Sequence, residues 1–256
     1  MQGTLQGKTI IVTGAGGGIG REACRVLARA GANVVASDIA QDRGSETAAA
    51  AVAGTGSSAT FFRADLSKEE DIQALVAHAI ATYGRLDGAF NNAGVEQCAL
   101  PLHQLSLEQW ERALRIDLTS VFLCIKHQVI AMLESGGGAI VNTASSLGQV
   151  AIPNASEYVS AKHGVVGLTR AAAAEYGGRG IRVNAVLPGI VLTPMISRLV
   201  TDPQFSAFFE KVRERHPIGR FAQPAEIGAA VAWLLSDAAS FVNGSCLNVD
   251  GGYLAV

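Results

Sequence analysis

Two residues four apart, Tyr158 and Lys162, follow a serine, Ser145, that stands immediately after the apolar run at residues 138–144. If 158 and 162 lie on a helix they share a face, so the ammonium can stand beside the phenol. A hydroxyl at a strand end can reach the same point. A phenol with an ordinary pKa near ~10 moves protons at neutrality only if that value falls by roughly 2 to 3 units, about 3 to 4 kcal/mol. One cation at ~4 Å in an effective dielectric of ~20 supplies about 4 kcal/mol. The trio can therefore do proton transfer with Tyr158 as the group that gives and takes the proton. Taken singly, a tyrosine and lysine at this spacing are more often a solvated helix pair.

A second cluster lies near the N-terminus. Thr13-Gly14-Ala15-Gly16-Gly17-Gly18-Ile19-Gly20 follows the apolar run KTIIVT and leads into a helical pattern over 19–30. Missing side chains at Gly14, Gly18 and Gly20 let backbone approach a pyrophosphate, and a helix N-terminus offers unpaired N–H groups and partial positive charge. Asp38 ends the second apolar run, 18 residues beyond Gly20. A carboxylate there can accept from adenosine ribose hydroxyls, and it opposes a 2′-phosphate by about 1 to 4 kcal/mol. The expected cofactor is NAD. No basic residue lies in the turn or directly after Asp38, Arg43 being the nearest along the chain. The competing reading of Asp38 is a helix cap.

These residues need a frame that brings strand ends and helix starts together. Seven β-rich runs (KTIIVT, NVVASD, ATFFRA, LDGAFN, GAIVNTA, IRVNAV and CLNV) alternate with helix-length segments. Their near-continuous apolarity requires a parallel sheet covered on both faces, which with right-handed crossovers is a doubly wound α/β fold. The expectation is a single-domain Rossmann fold over residues 1–256 with a seven-stranded sheet, strands one and four flanking the switch point where ligands bind. A helix is expected at about 156–176. Its apolar residues Ala161, Val165, Val166, Leu168, Ala172 and Ala173 are too widely spread for one sheet to cover, which predicts a homo-oligomer contact there.

The set Thr13–Gly20, Asn91-Asn92-Ala93-Gly94, Ser145, Tyr158-x-x-x-Lys162 and Pro188-Gly189 resembles the short-chain dehydrogenase/reductase family across nearly the whole chain. The resemblance implies that Tyr158 is the general acid/base, that Ser145 polarises the substrate oxygen, and that Lys162 lowers the tyrosine pKa and holds the nicotinamide ribose. The 13-residue offset to Tyr158 favours Ser145 over the adjacent Ser146. The resemblance further implies that Asp65 and Leu66 lie against adenine, that Asn92, Ala93 and Gly94 line the cofactor together with Ile19, Pro188 and Gly189, and that Ile190 and Thr193 hold the carboxamide. A tetramer is implied as well. Where the family has a catalytic Asn this chain has Asp117, in the run Asp117-Leu118-Thr119-Ser120-Val121-Phe122. Asp cannot donate a hydrogen bond unless protonated. A relay through the main-chain carbonyl would survive the change, and Asp117 could equally brace a helix irregularity.

From about 190 to 221 the chain carries Met195, Ile196, Leu199, Val200, Phe205, Phe208 and Phe209. A lid is expected, with an apolar lining suited to an apolar or cyclic secondary alcohol, though several of these residues could simply pack the lid down. Glu96, Gln97, Gln149 and Asn154 could add polar contacts from the other wall. With 16% charged residues, 49% apolar ones and a net charge of −2, the chain is globular and offers no footprint for nucleic acid. No signal-peptide pattern and no run of ~18 uninterrupted apolar residues is present, so a cytoplasmic protein without a membrane span is expected. The four cysteines form no close pairs and the five histidines no ligand spacing, so no metal is expected, and the cysteines should be small buried side chains. NAD preference favours alcohol oxidation in the cell. Rival readings are an NADP-dependent ketoacyl or carbonyl reductase of the same family, a methyltransferase, which needs no tyrosine and lysine, and a non-catalytic dinucleotide-binding regulator, against which Ser145, Tyr158 and Lys162 argue.

Overall fold

Seven parallel strands form one sheet in the order β3-β2-β1-β4-β5-β6-β7. They are β1 (Thr9–Thr13), β2 (Asn33–Asp38), β3 (Ala59–Arg63), β4 (Gly88–Asn91), β5 (Gly138–Thr143), β6 (Ile181–Pro188) and β7 (Cys246–Val249). The structure, a computed structural model, describes residues 3–202 and 205–256. Each expected apolar run became a strand, and the order reverses between β1 and β4 as expected. Side chains alternate along each strand and divide the core in two. Ile10 and Val12 of β1 face one layer, Ile11 the other.

The first layer holds α1 (Gly18–Arg29), α2 (Gln41–Ala51) and, after the later strands, α9 (Pro224–Leu235). Ala23, Leu27, Ala48, Ile227 and Val231 join Ile10, Val12, Val34 and Val141 there, all buried. The second layer holds α3 (Glu69–Tyr83), α5 (Ser120–Glu134) and α6 (Ser156–Tyr176), whose Leu75, Val121, Ile125 and Val165 meet Ile11, Val35, Ile140 and Val183. A short helix, α4 (Leu107–Leu114), opens on a capping box in which Ser106 Oγ accepts from Gln109 N and the Gln109 side chain accepts from Ser106 N. Beyond β6 come α7 (Pro194–Thr201) and α8 (Ser206–Glu214).

Two differences from the sequence reading have physical causes. The second apolar face of α6 is covered by α4 and the turn after it, within the same chain. Ala161, Val165, Val166, Ala172 and Ala173 are buried without a partner subunit, so this face does not itself call for one. The second concerns length. α4, a π-helical turn at Arg115–Thr119 and α5 run on as one 28-residue helix, Leu107–Glu134, long and apolar enough by composition to cross a membrane. Interspersed Ser, Lys, His and Gln hide it from a search for uninterrupted apolar runs. Half of its apolar window is buried, with contacts to α3 and α6. Cys24 and Cys124 are buried, and burial pushes both thiols up to about 12, whereas Cys98 and Cys246 are only half-buried.

Candidate active site

The switch point is built by the glycine turn, and its geometry explains the glycines. Gly14 and Gly18 have φ of 66° and 53°, a backbone region that side chains disfavour. A Cβ on Gly20 would lie 2.1 Å from the Gly14 carbonyl oxygen, and one on Gly14 would lie 2.9 Å from Ala93 Cα. A Cβ on Gly17, by contrast, would meet no protein atom within 4 Å. The turn is thus packed hard on its protein side and open at the N-terminus of α1, the side where unpaired N–H groups point outward. Asn92 and Ala93 are fixed beside it, their amides donating to Thr13 Oγ1 at 3.0 and 3.1 Å.

Asp38 is turned onto this loop. Its Oδ2 accepts from Gly16 N at 2.8 Å and its Oδ1 from Ala40 N at 2.9 Å. Ala40, not Asp38, is the residue that caps α2, and no side chain caps that helix. The capping alternative therefore falls. Each carboxylate oxygen retains a lone pair for a ribose hydroxyl. A cation that the sequence reading missed stands nearby: Arg63 is in register with Asp38 on the neighbouring strand and donates to Ile39 O at 3.1 Å. Asp65 and Leu66 follow β3. Hydrogen bonds from Ser67 hold the Asp65 carboxyl below the usual range.

At the ends of β5 and α6 the chemical trio comes together. Tyr158 lies in the first turn of α6, with Lys162 Nζ 5.4 Å from its ring centroid. The lysine is buried. It donates to Thr143 O at 3.1 Å and stands 3.6 Å from Asp117 Oδ1. Ser145, also buried, follows β5, and its Oγ accepts from Leu147 N at 3.1 Å in a short turn that packs on α6.

Asp117 sits in the π-helical turn, so the helix irregularity is present at this residue. Its Oδ1 accepts from Val95 N at 3.0 Å, and its Oδ2 is buried with no protein partner. Burial pushes this carboxyl above the usual range, against the pull of Lys162. Gly94 is required here, since a Cβ on it would come within 2.6 Å of Asp117 Oδ1.

Pro188 ends β6, and Gly189 donates its amide to Val249 O at 3.2 Å. Ile190 N donates to His216 Nε2 at 3.3 Å while His216 Nδ1 lies 2.8 Å from Val212 O, so the buried histidine ties the start of the 190–221 segment to α8. The histidines had been given no role from sequence. Thr193 overhangs the glycine turn, its methyl 2.9 Å from where a Cβ on Gly18 would be. Phe209 and Phe221 are buried edge to face, and Phe208 is exposed. The Met195 and Leu199 side chains lie outside the described residues. Glu96 and Gln149 are exposed, outside the buried cluster of Ser145, Lys162 and Asp117. Desolvation nonetheless holds the Glu96 carboxyl above its ordinary value. No cluster of three or more metal-ligating side chains occurs among the described residues.

A glycine-rich helix start whose outer side is free of protein atoms at Gly17, beside a strand-end serine and a helical tyrosine and lysine, defines the class: a dinucleotide-dependent oxidoreductase. Residues 14–254 match the family model described as enoyl-(acyl carrier protein) reductase. The chain is 52% identical over 254 residues to 2,5-dichloro-2,5-cyclohexadiene-1,4-diol dehydrogenase of Sphingobium indicum, covering 98% of this chain and 99% of that one. It is 44% identical to cyclohexanol dehydrogenase of an Acinetobacter species, covering 99% and 97%. Among solved structures, a provisionally assigned NAD(P)-dependent gluconate 5-dehydrogenase from Beutenbergia cavernae, with bound NADP at low occupancy, is 39% identical and superposes with a TM-score of 0.90 over 98% of each chain. The chain belongs to the short-chain dehydrogenase/reductase family. It is a nicotinamide-dependent oxidoreductase acting on CH–OH groups.

Proposed function

We propose that the enzyme oxidises an apolar, cyclic secondary alcohol with NAD, using Tyr158 as the base. The observation that carries the reading is the buried Lys162 held 5.4 Å from the Tyr158 ring, at the end of the strand that Ser145 follows. The nicotinamide, when bound, takes the hydride from the alcohol carbon. Ser145 holds the alcohol oxygen, Tyr158 removes its proton, and Lys162 stabilises the phenolate by charge. Gly14, Gly18, Ile19 and Gly20 seat the pyrophosphate. Asn92, Ala93, Gly94, Pro188, Gly189, Ile190 and Thr193 line the nicotinamide half, Asp65 and Leu66 the adenine, and Asp117 holds Lys162 and the chain at Val95. Glu96, Gln149 and Met195 are assigned to the substrate wall. Relatives named for cyclohexanol and a cyclohexadienediol support the ring-shaped substrate.

Asp38 supports NAD, because a 2′-phosphate would meet a carboxylate already fixed by Gly16 N. Arg63, across the strand pair from Asp38, favours a second reading in which NADP is also accepted. The 190–221 segment is assigned as the lid, hinged on His216. The protein is assigned to the cytoplasm as a homo-oligomer, a tetramer on the family resemblance.

The test is nicotinamide absorbance with cyclohexanol and either NAD or NADP, run beside Tyr158→Phe. Parent kcat/KM at least tenfold higher with NAD is expected, and a 10²- to 10⁴-fold loss in the variant. Higher kcat/KM with NADP, or parental turnover in Tyr158→Phe, would refute the corresponding part.

A further inference from the structure

The ten residues from Asn92 to Pro101 form neither helix nor strand, yet they carry the chain from the glycine turn past the proton-transfer residues. Side chains hold them in place. Asn92 and Ala93 are tied to Thr13, and Val95 N to Asp117. The fourth tie is Cys98 N, which donates to Glu157 Oε1 at 2.6 Å. Glu157 precedes Tyr158 in the first turn of α6 and is fully buried. Its second oxygen, Oε2, has no protein partner. The Cys98 thiol is pushed up by burial and by the Glu157 carboxylate beside it.

The next residue, Ala99, has φ of 57°, one of two non-glycine residues at positive φ among those described. A backbone in that region persists only where its neighbours over-determine it. Glu96 and Gln97 thus hang as a two-residue bridge between two carboxylate anchors. Asp117, beside Lys162, holds one end at Val95. Glu157, beside Tyr158 in the chain, holds the other at Cys98.

We infer that Glu157 is a positioning residue for substrate recognition: it fixes the 95–99 segment as the wall of the substrate site and so sets which alcohols reach Tyr158. The inference rests on the assignment of Ser145, Tyr158 and Lys162 as the reacting site. The Glu157 side chain holds Cys98 and not the dinucleotide turn, so its loss should move substrate selectivity and leave cofactor affinity in place.

The experiment compares the parent with Glu157→Ala, Glu157→Asp and Glu157→Gln. The readouts are kcat/KM for cyclohexanol and for 2-propanol, NADH affinity by fluorescence, and amide exchange over 95–98. In Glu157→Ala the cyclohexanol to 2-propanol ratio is expected to fall tenfold or more, exchange to quicken at least tenfold, and NADH affinity to stay within twofold. Glutamine keeps an oxygen for Cys98 N and should restore the ratio. Should the alanine variant fail to fold, the aspartate variant, one methylene short, is expected to shift the ratio threefold or more. An unchanged ratio with unchanged exchange, or a loss of NADH affinity in step with activity, would overturn the inference. Exchange needs no turnover, so absence of cyclohexanol activity in the parent counts against the substrate reading alone. Parental turnover in Tyr158→Phe overturns the reacting site and this inference together.

Discussion

Asp117 stands where the family resemblance implies an asparagine, and its surroundings fix what a carboxyl does there. Lys162 on α6 and Arg112 on α4 pull its carboxyl down, and burial, the larger effect, pushes it up. A carboxyl whose folded pKa is raised costs nothing below its unfolded pKa. The cost develops as pH rises from there through the folded value. Asp117→Asn removes that cost while its amide oxygen can still accept from Val95 N. The variant should therefore melt higher than the parent at pH 7 to 8, with the gain vanishing toward pH 4. A second effect runs through the lysine: with the neighbouring negative charge gone, the Lys162 ammonium acts on Tyr158 undiminished, so the acid limb of kcat/KM should move to lower pH. Thermal melts and pH–rate profiles of the pair check both signs, and a limb that moves upward would contradict the electrostatic account. Tyr158, Lys162, Ser145 and Asp38 were legible because their partners lie at fixed short spacings or at strand ends. Glu157 was not, since an acidic residue in the first turn of a helix normally faces water and favours the dipole. Arg63 is not legible for a different reason: it is 25 residues from Asp38 in sequence and stands opposite it only through strand register.

At the scale of elements, apolar runs made all seven strands readable, and the 156–176 helix has the bounds expected of it. Buried polar pairings were invisible. Asn91 exchanges hydrogen bonds with Gln128 and also donates to Asn142, which in turn donates to Thr169, so β4, β5, α5 and α6 are cross-linked behind the site. Such a network needs three-dimensional neighbours to be recognised. The glycine turn allows a sharper prediction, because its two faces differ. Gly20→Ala drives a methyl against a backbone oxygen that cannot swing aside. Overpacking of this kind costs about 1 to 3 kcal/mol, or about 2 to 12 °C for a chain of this size, and NADH binding should be lost with it. Gly17→Ala meets no protein atom and has extended backbone, with φ of −178°. It should melt within about 2 °C of the parent and still lose NADH affinity at least tenfold, because the methyl enters the space where the backbone must approach a pyrophosphate. Calorimetry beside NADH titration separates the two, and equal NADH affinity in Gly17→Ala and the parent would move the dinucleotide elsewhere.

For the whole molecule, Ala161, Val165, Val166, Ala172 and Ala173 of α6 are buried within the chain, which leaves only Leu168, half-buried, of the apolar residues that pointed to assembly there. Exposed apolar side chains occur on the long helix outside it, as they do at several other places on the surface. Leu107, Phe122 and Ile130 are 71%, 47% and 51% exposed along Leu107–Glu134. We propose them as one contact of the homo-oligomer that the family resemblance implies. The same helix carries Asp117 in its π-helical turn, so subunit contact would brace the element that holds Lys162 from behind. Covering the exposed half of Phe122 and of Ile130 is worth about 0.8 to 1.5 kcal/mol each, and a two-fold interface counts every residue twice. Phe122→Glu with Ile130→Glu should therefore weaken assembly by about 3 to 6 kcal/mol, a hundredfold or more in dissociation constant, before any charge repulsion. Sedimentation at micromolar concentration should show the parent as an oligomer and the double variant as a folded monomer. If bracing of the π-helical turn matters, the monomer's kcat falls further than its NADH affinity. A parent that sediments as a monomer, or a double variant of unchanged mass, would place the contact elsewhere and leave these side chains as ordinary exposed surface.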